Sequence, residues 1–293
     1  MSIAGVTREL LVRYLDSWAP AALHGAKRAT FAQVWAGEPD AEAAEAALRV
    51  FGEFADRLRG RRLAVVLIAP GAAALSARLS AVPAPGELAV HAVDGGPELL
   101  PAVLKAAGAA AAPLFAYIDT ETTDAAPPLT AVAAGKPGEV LWRTAAGTWD
   151  GCRKALRDNG FGLTTGVELV EGTHSRLLAF GTSSAKHMEA FKDAMWAVDE
   201  YAGVRYRDPT DPDGHAVDIS LQPNPGPLRR ELLAHLASAG ERTVTQLRHF
   251  TLTETIFRAS DAVRTITALV SSGAVVRTPP GGRLSGDVLI RVD

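Results

Sequence analysis

The chain has 293 residues, a net charge of −3 and an apolar content of 47%, enough for a sizeable core and too much for a disordered chain. Its single cysteine, Cys152, excludes a disulfide scaffold and any site built from several thiolates. No apolar run reaches the ~18 residues of a bilayer span, and the amino terminus lacks the basic segment and apolar core of a secretory leader, so the expectation is a cytoplasmic protein without membrane contact.

In chain order, Val6, Leu10, Leu11, Tyr14, Leu15 and Trp18 share one helical face and predict an opening amphipathic helix. A strand follows over 29–35, then a helix with Ala44, Leu48, Phe51 and Phe54 as its apolar stripe. The run 63–68 is apolar throughout and β-branched, as in a strand covered on both faces. Further strands are predicted over 88–93, 114–118 and 139–142, each preceded by a helical stretch. A helix over 149–159 stops at Gly160. The runs 163–170 and 176–180 flank Glu171-Gly172-Thr173-His174, a hairpin signal. A helix carrying Met188, Phe191, Met195 and Val198 closes this part.

Strands alternating with helices imply right-handed crossovers and a parallel sheet. A terminal hairpin lets the last strand insert antiparallel. The expected fold class is therefore α/β over 1–204, a Rossmann-like sheet ending in a β-hairpin. This order resembles the class I S-adenosylmethionine-dependent methyltransferase fold.

Ligands in such sheets sit at the carboxyl ends of the strands. The first strand leads into Trp35-Ala36-Gly37-Glu38-Pro39-Asp40, where the methyltransferase resemblance implies a glycine-rich turn; Gly37 is the only glycine, and Pro39 removes a backbone donor. The second strand leads into Ala69-Pro70, where the resemblance implies an acid for the ribose hydroxyls. At the third, Asp94 stands where the resemblance implies an acid for the adenine amino group. At the fourth, Asp119 stands where the catalytic motif begins, followed by Thr120 and Glu121. An Asp at a strand end is also a common turn former. The expectation is a vestigial pocket made by Gly37, Glu38 and Asp94, with no cofactor. If the pocket is live, it would take S-adenosylmethionine, with Asp119 as the catalytic residue.

Four segments together resemble the three-Cys-motif partner protein family. They are Leu10-Leu11-Val12-Arg13-Tyr14-Leu15-Asp16-Ser17-Trp18, Phe31-Ala32-Gln33-Val34-Trp35-Ala36-Gly37, Phe115-Ala116-Tyr117-Ile118-Asp119 and the run 186–196. The resemblance implies a methyltransferase-like domain followed by a winged helix. The chain departs from the family at the first strand and the turn after it, where Gln33, Glu38 and Asp40 replace residues of an Asp- and Gly-rich run.

The segment 205–226, with Pro209, Pro212, Gly214, Pro223 and Pro225, reads as a linker. Beyond it the charge reverses: residues 226–293 carry nine Arg against six acids, while the rest of the chain is at −6. Leu228, Leu232, Leu233 and Leu236 mark a helix ended by Gly240. Val244 and Leu247 anchor a second helix, and Val263, Ile266, Leu269 and Val270 a third. Strands over 274–278 and 287–292 complete a winged helix-turn-helix over 227–293. Its third helix would present Arg258, Ser260, Asp261, Arg264 and Thr265 to a DNA groove, with Arg283 at the wing tip and Arg277 beside it. The alternative is a winged helix used for protein contact.

The seven histidines show no metal-ligand spacing, and no metal is expected. Asp208, Asp211, Asp213 and Asp218 lack the glycine and glutamate of a calcium loop. Arg205-Tyr206-Arg207 interleaves basic and aromatic residues, as single-strand binders do; loop packing is the plainer explanation.

The leading functional expectation is a nucleic-acid-binding protein, for DNA or else RNA. Its methyltransferase-like domain would be catalytically degenerate, a scaffold, a sensor or the surface of a protein partner or homodimer. The alternative is a methyltransferase with a divergent pocket, acting on nucleic acid.

Overall fold

The computed structural model describes residues 2–120, 126–198 and 203–292. The chain forms two compact units, Met1–Ile219 and Ser220–Asp293.

The first unit opens with helix α1 (Ile3–Gly25), capped by the Ser2 hydroxyl, which accepts from the Gly5 N–H. Strand β1 (Arg28–Trp35), α2 (Ala41–Glu53), α3 (Ala55–Leu58), β2 (Arg62–Ala69), α4 (Ala72–Leu79), β3 (Leu88–Asp94) and α5 (Leu100–Ala106) follow. Then come β4 (Leu114–Asp119), α6 (Leu129–Ala133), β5 (Gly138–Ala145), α7 (Trp149–Asp158), the hairpin β6 (Leu163–Glu171) and β7 (His174–Thr182), and α8 (Ala185–Trp196). Strands β8 (Val204–Arg207) and β9 (Ala216–Asp218) end the unit.

Among the described residues, the nine strands of this unit form one sheet in the order β3-β2-β1-β4-β5-β7-β6-β8-β9. The first five in this order run parallel. Strand β7 inserts antiparallel between β5 and β6. The mostly parallel sheet with an antiparallel strand near its end agrees with the α/β class expected from the alternating sequence and its terminal hairpin; β8 and β9 extend it further.

Two cores flank the sheet because side chains of a strand alternate between its faces. Ala32, Val34, Val66, Ile68, Ala116, Ile118, Val140 and Trp142 turn toward Leu100, Leu104, Leu129, Val132, Trp149 and Leu156 of α5–α7. Phe31, Phe115 and Phe180 turn the other way. There Tyr14 meets Phe115, Phe180 and Phe191 edge-on at 5.0–5.6 Å, and Phe180 stacks on Phe191 at 4.1 Å. Such ring pairs add to the burial of the rings themselves. On β6, Gly166 makes room for an aromatic ring: a Cβ there would lie 2.5 Å from Trp149.

The segment read as a linker is instead partly sheet. Val204 and Tyr206 point inward while Arg205 points to solvent, and β8 pairs with β6 and β9. The Tyr206 hydroxyl donates to the Met195 carbonyl at 2.7 Å, so this ring belongs to the core and is not offered for stacking on bases. The unit runs to the buried Ile219.

The second unit contains α9 (Gly226–Ala239), β10 (Arg242–Thr243), α10 (Val244–Glu254), α11 (Ala259–Ser271), β11 (Val275–Thr278) and β12 (Leu289–Val292). Its three strands pair antiparallel in the order β10-β12-β11. Leu228, Leu232, Leu236, Leu247, Leu252, Ile266, Leu269 and Ile290 form the core. A capping box between Thr243 and Gln246 starts α10. Among the described residues, no helix is long and apolar enough to cross a membrane.

Candidate functional site

A cleft of about 590 Å³ opens at the carboxyl ends of β1 and β4, lined by Trp35, Gly37, Glu38, Asp40, Asp119 and Arg143, with Arg8 and Arg78 at its sides. Its position follows from topology. The chain passes from β1 to β2 and β3 on one side and returns from β3 to β4 on the other, and such a switch point leaves a crevice beyond the strand ends.

Asp119 is the last residue of β4 and is 8% exposed. The β4–β5 register sets it beside Arg143, whose guanidinium donates to its Oδ2 at 3.0 Å. Both side chains are largely buried, so each neutralises a charge that would be costly alone. The backbone fixes the pair: the Ala36 N–H donates to the Asp119 carbonyl at 2.9 Å, and the Thr120 N–H to the Arg143 carbonyl at 3.0 Å. The Trp142 indole N–H donates to the Thr120 hydroxyl at 2.6 Å. Behind Asp119, burial first and the Asp119 charge second push the Tyr117 hydroxyl well above its usual range, so it stays protonated.

The loop after β1 is held by Asp40, which caps α2 by accepting from the Ala43 N–H at 2.9 Å. Arg8 pairs with Glu42 and lies 3.7 Å from Asp40, and Arg78 pairs with Glu45. The Arg78 contact holds the Glu45 carboxyl below its usual range. Glu38 is exposed and Gly37 half-buried, so both predicted pocket residues lie on the cleft.

Asp94, the acid expected to face a nucleobase, is exposed at the end of β3 and is engaged through one carboxylate oxygen by backbone. Its Oδ1 accepts from the backbone N–H groups of Gly71 at 2.7 Å and Ala72 at 3.3 Å. Gly71 occupies the N-cap position of α4 at φ +72 and has no side chain to cap with. The neighbouring strand supplies the missing acceptor, since Asp94 pairs in register with Ala69. Arg8 and Arg143 on the cleft were not legible in the sequence, because their places depend on helix packing and strand register.

In the second unit, Ser260 and Arg264 of α11 are exposed, as is Arg283 in the turn between β11 and β12. Arg258 faces inward instead. It donates to Asp261 from Nε at 2.9 Å and to the Leu221 carbonyl at 2.8 Å. Arg277 clamps its own turn through the carbonyls of Pro279, Gly281 and Gly282. Thr265 and Asp261, expected on the solvent side, are 2% and 4% exposed. Asp261 is the acceptor that gathers Arg258 and Arg264. Thr265 falls on the stripe with Ala262, Ile266 and Leu269; the position turned outward beside Arg264 is Thr267.

Among the described residues, Asp211, Asp213 and His215 are the His, Cys, Asp or Glu group close enough to share a cation. The last two are exposed, and Asp211 is already engaged by His215 at 2.8 Å. Cys152 is buried, and burial pushes its thiol up.

No family model and no curated protein matches the chain. Among solved structures it is similar to the O-methyltransferase TomG from Streptomyces achromogenes, crystallised with S-adenosylmethionine, at 17% identity over 58% of this chain and 79% of that one, TM-score 0.36. It is also similar to a precorrin-6y C5,15-methyltransferase from Geobacter metallireducens, at 13% identity over 57% and 87%, TM-score 0.34. A third is the METTL16 methyltransferase domain, at 12% identity over 62% and 84%, TM-score 0.32. At such low scores the site stands on strand order and cleft geometry alone.

Proposed function

We propose that the first unit is a methyltransferase-type domain with a divergent cofactor pocket. The observation that carries this is that the strand-end cleft is open: about 590 Å³ of charged space remains beyond β1 and β4, with Asp119 and Arg143 at its edge. Topology provides a crevice at this place in any such sheet; what favours a ligand is that Asp119 and Arg143 line it as an ordered ion pair.

The chain fits S-adenosylmethionine unevenly. Arg8 and Arg78, each shared with a glutamate, and the exposed Glu38 offer both signs of charge for an amino-acid end. The nucleoside end is poorly served. β2 ends at Ala69, followed by Pro70, neither with a side-chain acceptor for ribose, and one of the two carboxylate oxygens of Asp94 serves α4. Losing one hydrogen-bond acceptor for the ribose costs about 1.5–3 kcal/mol, roughly a 10- to 150-fold weakening. Bound there, the cofactor would supply an electrophilic methyl group. This chain's own part is positional: Asp119, held by Arg143, offers a fixed carboxylate to the hydrogen of an acceptor group, and the cleft walls limit its approach.

Calorimetric titration with S-adenosylmethionine and S-adenosylhomocysteine tests the reading. Saturable binding, weakened by Glu38→Ala or Arg8→Ala, supports it. No binding at about millimolar ligand overturns it and returns the domain to the scaffold reading.

For the second unit we infer a winged helix that contacts nucleic acid. Its support is the excess of Arg over acids, its order of three helices and three strands, and the exposure of Ser260, Arg264 and Arg283. Arg258, Arg277 and Thr265 serve the fold of the unit under this reading. DNA and RNA both fit this contact set.

A further inference from the structure

A second constellation lies at the amino end of the sheet. Glu139, the second residue of β5, is 0% exposed. It accepts from the Tyr14 hydroxyl through Oε2, and its Oε1 is bonded to His187 Nδ1. The three residues come from α1, β5 and α8. The register places Glu139 beside Phe115 and Arg143 beside Asp119, so the two constellations are four residues apart along β5, about 13 Å. The methyltransferase reading does not use the second.

A buried carboxylate needs partners. Tyr14 and His187 supply them, and Glu139 fixes the proton of His187 on Nδ1. Nε2 is then the imidazole nitrogen left for a ligand: the neutral ring accepts there, and the imidazolium, its charge balanced by Glu139, donates there. His187 lines a cleft of about 470 Å³ together with Tyr14, Ser17, Trp18, His24 and Lys186. Among the described residues, no acid lines it, because Glu139 is enclosed behind the imidazole. Lys186 and His24 are exposed at its rim. A carboxylate-backed histidine, two further basic side chains and no facing acid match one ligand chemistry, an oxyanion.

We propose that this cleft binds a small oxyanion, a phosphate monoester or a carboxylate, between His187, Lys186 and His24. His187, as the imidazolium balanced by the Glu139 carboxylate, is its Nε2 donor, with Glu139 and Tyr14 as positioning residues.

The test follows the imidazole ¹⁵N resonances of His24 and His187 in the full chain during titration with inorganic phosphate and, separately, acetate. Saturable shifts of His187 are expected with at least one anion. Tighter phosphate marks a phosphorylated ligand, and tighter acetate marks a carboxylate. Lys186→Ala and His24→Ala alter exposed positions and keep the fold. Each should weaken binding about three- to fivefold. No saturable His187 shift with either anion overturns the proposal, as does unchanged affinity in the Lys186→Ala/His24→Ala double variant.

Discussion

The carboxylate of Asp94 accepts the Gly71 N–H at 2.7 Å, so an acid at the end of one strand caps the helix that follows its neighbour. Strand-end acids in this fold class invite a cofactor role, and here the local backbone claims the group first. Asp94→Ala should lower stability by about 0.5–2 kcal/mol, the usual worth of a helix cap, and Asp94→Asn by less. Urea unfolding measures both. If Asp94→Ala weakened ligand binding without changing the unfolding midpoint, the capping assignment would fail.

Asp119 and Arg143 should be coupled. Removing Asp119 takes from Arg143 the carboxylate that neutralises it within a largely buried pair. We expect Asp119→Ala to destabilise the first unit by about 3–5 kcal/mol, and a double-mutant cycle with Arg143→Met to show a coupling of roughly 1–3 kcal/mol. Additive losses in the cycle would show that the two act independently.

Three buried tyrosines set a limit in alkali. Burial is the largest cause raising the hydroxyls of Tyr14, Tyr117 and Tyr206, with the Glu139, Asp119 and Glu9 charges respectively adding to it. In the unfolded chain these groups ionise near pH 10. Above that pH the unfolded state holds fewer protons than the folded one, so stability falls as pH rises. The loss contributed by each tyrosine approaches about 1.4 kcal/mol per pH unit. Unfolding midpoints between pH 8 and 11 should fall steeply above 10, and Tyr206→Phe should make that fall shallower.

The second unit should show a salt-dependent affinity for duplex nucleic acid. Arg264→Ala with Arg283→Ala should reduce the slope of log K against log salt by about two, one for each phosphate left without its arginine. Arg258→Ala should mainly destabilise, because its guanidinium joins Asp261 to the Leu221 carbonyl. Affinity that stays flat across the salt series would remove the phosphate contacts from the reading.

Much of this fold is legible in the order of residues, because strands buried on both faces produce long apolar runs such as 63–68 and the hairpin carries its own turn. β8 escaped notice because four residues give a weak alternation, and prolines crowd the sequence after it. On α11 the residues at 260, 264, 267 and 271 follow one face at helical spacing, so Thr267 could have been chosen over Thr265 from spacing alone. Asp119 was visible as a strand-end acid. Arg143 became part of the site only through register, and Tyr14 and His187 lie 125 and 48 positions from Glu139. Contacts across such separations leave no local pattern.

Strand β8 also determines how the protein can be dissected. In the intact chain it covers the outer side of β6 from Glu168 to Glu171. A truncation at residue 204 would uncover a row of backbone donors and acceptors there, a template on which a second molecule could add its own strand. Ending instead after Ile219 keeps both short strands, so a soluble first unit and an aggregating one differ by fifteen residues that look, on paper, like a tether.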